Sequence, residues 1–162
     1  MVIKWDVAGE VAPEELRKHF EEEKRRPGNP LVLYEGFFDY ITPYVVKAIL
    51  KTNAFPMTKA QAIYYFGRLA GAVSALANIY WLASSFEEDV FKETKEEVGR
   101  HLQKAVEEVI AFYSDIKEGK PLDNVMFLVT WNVGDLELDA VNFGTKLAIY
   151  ITRNCIRKPK PS

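Results

Sequence analysis

Acid–base, nucleophilic or metal chemistry in this chain would have to be built from two histidines, His19 and His101, one cysteine, Cys155, and its carboxylates. Glu97 stands four residues before His101, which puts the two on one helical face. A carboxylate-bridged metal bundle needs Glu-x-x-His on two helices, and the sequence contains that spacing nowhere, so the pair is expected to be a surface ion pair. There is no His-Glu-x-x-His, no Gly-rich loop closing on Gly-Lys-Ser/Thr and no Gly-x-Ser-x-Gly elbow. Cys155 has no second cysteine with which to form a disulfide or a thiolate cluster, and nothing in the sequence activates it. No catalytic constellation, cofactor site, metal site or small-molecule substrate is expected, and the chain is read as a non-enzyme.

The chemistry that the residues do suggest is phosphate binding by charge. Arg68 is the one charged side chain inside a long apolar stretch, and a guanidinium keeps its proton, so it must meet a carboxylate, water or a phosphate. An internal partner would be Asp39 or Glu35. Alternatively Arg68 joins Arg17, Lys18, Lys24, Arg25, Arg26, Lys47, Lys51, Lys59, Arg153, Arg157, Lys158 and Lys160 in a discontinuous basic surface that holds phosphates without reading sequence. The net charge of −2 gives the whole molecule no nucleic-acid or membrane bias, so any such role rests on local charge.

At 162 residues, 48% hydrophobic and 13% aromatic, the chain is the length of one domain with material for a real core. The single cysteine and the start MVIKWDVAGEV, which lacks a basic–apolar leader pattern, point to a reducing cytosol. Abundant Glu and Lys beside few Met suit a thermophilic source.

These groups would be positioned by helices. The stretch Thr58 to Phe86 has no ordinary charge after Arg68 and is expected to be the central, buried helix, started by a Thr58/Gln61 capping box. Ile63, Phe66, Ala70, Val73, Ala77 and Tyr80 form one stripe on it, and Gly67, Gly71 and Ala75 a second one of small residues suited to a close helix contact. On that reading Gly71→Leu should be worse for stability than Ala72→Leu. The stretch contains Ala, Ser, Gly and Asn78 and has no flanking basic cluster, so membrane insertion is not expected.

Before it, PEELRKHFEEEKRR predicts a helix from Pro13 with five acids, five bases and only Leu16 and Phe20 as an apolar edge. Its pairs Glu14/Lys18, Glu21/Arg25 and Glu22/Arg26 fall at i,i+4, and it is expected to stand as an arm, ended by Pro27-Gly28-Asn29-Pro30. Thr42-Pro43 reads as the start of a helix to Lys51. The aromatic run Tyr34, Phe37, Phe38, Tyr40 and Tyr44 exceeds what a small bundle needs to bury, so Tyr34, Phe37, Phe38, Tyr40, Gly67 and Gly71 are assigned to a subunit interface.

After Phe86 an acidic helix should place Val90, Val98, Leu102, Val106, Val109 and Phe112 inward and end at Gly119. Residues 124–133 suit a strand or a buried helix, and helix is preferred. A last helix, capped by Asp135, should turn Leu138, Val141, Leu147, Ala148 and Ile151 inward, with a short β-hairpin of 124–133 and 146–152 as the alternative. The fold class is therefore all-α, with residues 1–30 as arm and hinge, 31–154 as an antiparallel bundle and 155–162 as a basic extended tail.

This order of arm (PEELRKHFEEEKRR), hinge (PGNP) and bundle (Leu31 to Asn154) resembles the major capsid proteins of filamentous and rod-shaped archaeal viruses. The resemblance implies a structural subunit, found in the virion, whose dimers build a helical filament around double-stranded DNA held by sequence-independent phosphate contacts. A second resemblance, to the small helical subunits of CRISPR effector assemblies, implies a cytoplasmic, non-catalytic subunit of a nucleic-acid or protein complex.

Overall fold

The computed structural model describes residues 10–26, 28–84 and 92–154, with side chains for all of these except 30, 126–132 and 154. Among them the protein is all-α, with helices α1 (Pro13–Arg25), α2 (Pro30–Lys51), α3 (Pro56–Ser84), α4 (Lys92–Lys117) and α5 (Leu122–Asn154). Side-chain pairs fix the directions. Glu10 meets Lys117 and Arg17 meets Glu107, so α1 runs against α4, whereas Arg68 meets Glu137 and Ile79 approaches Gly144, so α3 and α5 run the same way. The central helix is α3, flanked by α2 and α5 with α4 behind it.

Helix α1 is docked on the bundle and does not stand as an arm. Leu16 and Phe20, one turn apart, are both fully buried, and the Phe20 ring meets Phe37 edge-on at 5.1 Å. Two large apolar side chains at i,i+4 suffice to seat a helix whose other faces are charged. The PGNP segment does two jobs: Asn29 caps α2, its side-chain oxygen accepting from the Leu31 N–H at 2.9 Å, and Pro30 takes the first turn, where no amide hydrogen is needed.

Pro43 lies inside α2 and does not begin a helix. The Thr42 hydroxyl donates to the Phe38 carbonyl in the turn that the proline ring disturbs, and Pro43 itself is buried. Helix α3 likewise starts before Thr58, with the Lys59 N–H on the Phe55 carbonyl, so Thr58 is in its first turn and caps nothing. Val90, expected inward, lies outside the described residues.

Of the residues expected inward on α4, Val98, Leu102, Val106, Val109 and Phe112 are buried. The helix closes with a Schellman arrangement. Gly119 adopts φ +82, the Lys120 N–H reaches the Asp115 carbonyl and the Gly119 N–H the Ile116 carbonyl, each at 3.1 Å.

Helix α5 runs unbroken through 124–133 and 146–152, so both segments are helical, and Asp135 is an exposed interior residue with no new helix to cap. Its inward face is Val133, Leu136, Phe143 and Leu147, with Ile151 half-buried. Leu138, Val141 and Ala148, expected inward, point out to solvent. Apolar residues are so frequent along α5 that more than one helical face looks hydrophobic, and packing against α3 and α4 selects between them.

Candidate functional site

Among the described residues, several of the bases expected on one phosphate-binding surface have partners within the chain. Arg17 pairs with Glu107 across α1 and α4 at 2.9 Å, and Lys24 donates to Gln103 at 3.0 Å on the same seam. Arg26 pairs with Glu23 at 3.2 Å, Lys51 with Glu10 at 2.8 Å, and Lys59 donates to the Leu50 carbonyl at 2.7 Å, closing the end of α2. Lys47 lines a cleft beside Lys51. Lys18, Arg25 and Arg153 are exposed and stand in no ion pair among the described residues, whereas Arg157, Lys158 and Lys160 lie outside those residues, with Cys155. Arg17 and Lys24 thus tie α1 to α4, whereas of the expected i,i+4 pairs Glu14/Lys18, Glu21/Arg25 and Glu22/Arg26 none forms an ion pair among the described residues, Arg26 taking Glu23 instead.

Arg68 meets an internal carboxylate, but not Asp39 or Glu35. Its Nε donates to Glu137 Oε2 at 3.2 Å and its Nη2 to Oε1, a two-point grip between α3 and α5, while the guanidinium lies 5.5 Å from the Tyr65 ring and 5.8 Å from that of Tyr64. The hydrogen bond to Glu137 raises the guanidinium pKa further. Glu35 instead accepts from the Ser74 hydroxyl at 2.6 Å.

Asp39 is the strained group of this region. Its Oδ2 is buried without a hydrogen-bond partner among the described residues, and burial, then the neighbouring Glu35, push its carboxyl pKa up. A carboxyl easier to ionise when unfolded costs stability as pH rises from its unfolded pKa through its folded one. Asp39→Asn is therefore expected to raise the melting temperature at pH 7, and the gain should shrink toward zero as pH falls below the ordinary aspartate range. Thermal melts of both proteins across that range check this, and a gain independent of pH would refute it.

The interface assignment divides in two. Tyr34, Phe37 and Phe38 are buried within the single chain, packed on Phe20 and Phe66, so these three are core residues. Burial raises the Tyr34 hydroxyl to about 12. Tyr40 is half-exposed, with the His19 ring stacked on it at 3.9 Å. Gly67 and Gly71 face outward, with nothing within 4 Å of where a Cβ would stand, and Ala75 is exposed in line with them. Among the described residues nothing approaches the Cβ positions of Gly67 and Gly71, while Ala72, the neighbour of Gly71, is buried.

That outward face of α3 continues through Tyr64, 64% exposed, and Leu82, and beside it α5 exposes Leu138, Val141 and Ile149. Beyond Arg68 the described part of α3 contains no charged residue. Sequence reasoning found the stripe by its spacing and assigned Gly67 and Gly71 to a subunit interface; which helices surround α3 within the chain is a tertiary fact that spacing does not contain. Among the described residues no helix is long and apolar enough to cross a membrane.

The histidine chemistry resolves between helices. His101 Nδ1 lies 2.6 Å from Asp139 Oδ2 on α5, and its ring meets Phe143 edge-on. The partner is thus Asp139 and not Glu97. The groove they line also holds Arg100, Lys104, Glu108 and Asp135, and burial pushes the Glu108 carboxyl up. Among the described residues no group of three His, Cys, Asp or Glu side chains is placed to hold a metal ion. In comparisons with known proteins, no family, no curated protein and no solved structure matches the chain.

Proposed function

We propose that this chain is a non-catalytic structural subunit that assembles with copies of itself through the outward face of α3 and the adjoining face of α5. The observation that carries the proposal is the uncharged, exposed row Tyr64, Gly67, Gly71, Ala75 and Leu82 on α3. A helix face that stays in water is ordinarily broken up by Lys and Glu, and a larger apolar patch marks an interaction surface. Small residues let a facing helix approach closely, and a face on which Arg68 and Glu137 already neutralise each other can pair with its own two-fold image without further charge matching.

The capsid-like form of this proposal adds duplex DNA as a partner of the assembled protein. Its phosphates would fall to Lys18, Arg25 and Arg153, because Arg17, Arg26, Lys51 and Arg68 already face carboxylates. Electron microscopy of the purified protein with and without duplex DNA tests both levels. Filaments or discrete oligomers support assembly, and a uniform field of monomers contradicts it. If DNA is bound, replacing Lys18 and Arg25 together should flatten the slope of log affinity against log salt by roughly 0.9 for each phosphate no longer neutralised. Replacing the exposed Lys92 on α4 should leave the slope alone. Equal effects from the two sets would mean diffuse attraction and would remove DNA from the proposal, leaving the protein interface.

A further inference from the structure

At the end of the bundle where α2 and α4 terminate, a cleft of about 420 Å³ opens between the two helices. Four lysines line it, Lys47 and Lys51 from α2, Lys117 from the last turn of α4, and Lys120 just beyond, and among the described residues Glu10 is the one acid in its lining. Lys51 Nζ lies 2.8 Å from one Glu10 carboxylate oxygen and Lys117 Nζ 2.5 Å from the other. Lys120 is held at the rim by Asp115 at 2.7 Å. Two ammonium groups from different helices thus converge on separate oxygens of one anion, the way charge-assisted donors grip a carboxylate or a phosphate.

Glu10 is not built into a helix. It sits three residues before α1, and its side chain remains 56% exposed while bridging the two lysines. The chain beside it is fastened by a separate bond, the Tyr113 hydroxyl to the Val11 carbonyl at 2.6 Å. The lysine hydrogen bonds hold the Glu10 carboxyl down at about 2, as expected for an anion in a strongly cationic seat. Glu10 and Lys51 are exposed while Lys117 is partly covered, so water competes for the glutamate and its release costs less than for a buried pair.

We propose that the Lys51–Lys117 cleft is a binding site for a phosphate-bearing ligand, with Glu10 as an internal occupant that the ligand displaces. A phosphate brings more charge and more acceptor oxygens than the carboxylate it replaces, so it competes for the two ammonium groups that now hold Glu10. The volume is in the range of small-ligand pockets. The site is independent of the α3–α5 face and stands or falls without it.

Pyrophosphate is the probe, titrated calorimetrically at low salt into the full-length wild type and three variants, each first shown folded by circular dichroism. Glu10→Gln should bind at least about tenfold more tightly than wild type, since a gap of 1.4 kcal/mol from removing the competitor already gives that factor. Lys51→Met/Lys117→Met should lose binding, and Lys92→Met should match wild type. Equal affinity for wild type and Glu10→Gln, or equal loss in the cleft and Lys92 variants, would overturn the proposal. A measurement on the wild type alone keeps it testable if Glu10→Gln fails to fold: the carbon-13 resonance of the Glu10 carboxylate should move as pyrophosphate saturates, and an unmoved resonance refutes displacement. Vesicles containing phosphatidate, run in parallel, identify the source. Binding of pyrophosphate without vesicle binding assigns a soluble ligand, and Lys51- and Lys117-dependent binding of both assigns a lipid headgroup.

Discussion

Phe20→Ala is expected to cost the protein about 3–5 kcal/mol, the range for truncating a buried phenylalanine, and to release α1 from the bundle. The ring is almost fully buried and packs on Tyr34 at 5.7 Å and Phe37 at 5.1 Å, so its removal leaves a cavity lined by rigid aromatics that cannot collapse into it. Only Leu16 would then anchor the helix through its apolar face. The remaining ties of α1 itself are the half-exposed His19–Tyr40 stack and the solvent-exposed Arg17–Glu107 and Lys24–Gln103 pairs, the polar pairs being worth little. Chemical denaturation should show the loss, and hydrogen exchange should show the α1 amides exposed well before those of α3. If α1 were an arm held loosely, the substitution would cost well under 1 kcal/mol, as at other surface positions.

The second large effect separates folding from assembly by one residue. Ala72→Leu adds three carbons where the side chain is already buried between α3 and its neighbours, and overpacking of that kind costs about 1–3 kcal/mol. Gly71→Leu adds a larger side chain into open space, and replacing a helical glycine by leucine gains roughly 0.5–1 kcal/mol of helix propensity. The single chain should therefore melt lower with Ala72→Leu and no lower with Gly71→Leu. This reverses the order that spacing alone suggests. In the assembled protein Gly71→Leu should hold the facing helices apart and abolish association, whereas Ala72→Leu, once folded, should leave the outward surface intact. Thermal melts read the first difference and light scattering the second.

The all-α class, α4 and its glycine stop were legible because each rests on local physics: a 3.6-residue apolar period, a charged outer face, and a position with positive φ that favours glycine. The start of α2 was not, because Thr42-Pro43 imitates a capped helix start so well that only the structure shows Pro43 buried within a longer helix. In α5, apolar side chains cover several faces, and the choice of Phe143 and Leu147 over Leu138 and Val141 depends on where α3 and α4 lie. The same limit governs the charges. Arg68 and Glu137 are 69 residues apart, and Glu10 and Lys117 are 107, so no spacing rule joins them. Sequence showed that α3 carried a stripe of small residues; only the packing showed that the described residues leave Gly67 and Gly71 uncovered.

Sedimentation equilibrium of the wild-type protein over a wide concentration range, beside Gly71→Leu, tests the central claim most directly. Self-association through the outward face of α3 predicts a wild-type mass at or above twice the 18.5 kDa of one chain at high concentration, and a Gly71→Leu mass that stays at one chain throughout. A wild type that remains monomeric at every concentration, or a Gly71→Leu variant that associates as the wild type does, would contradict it.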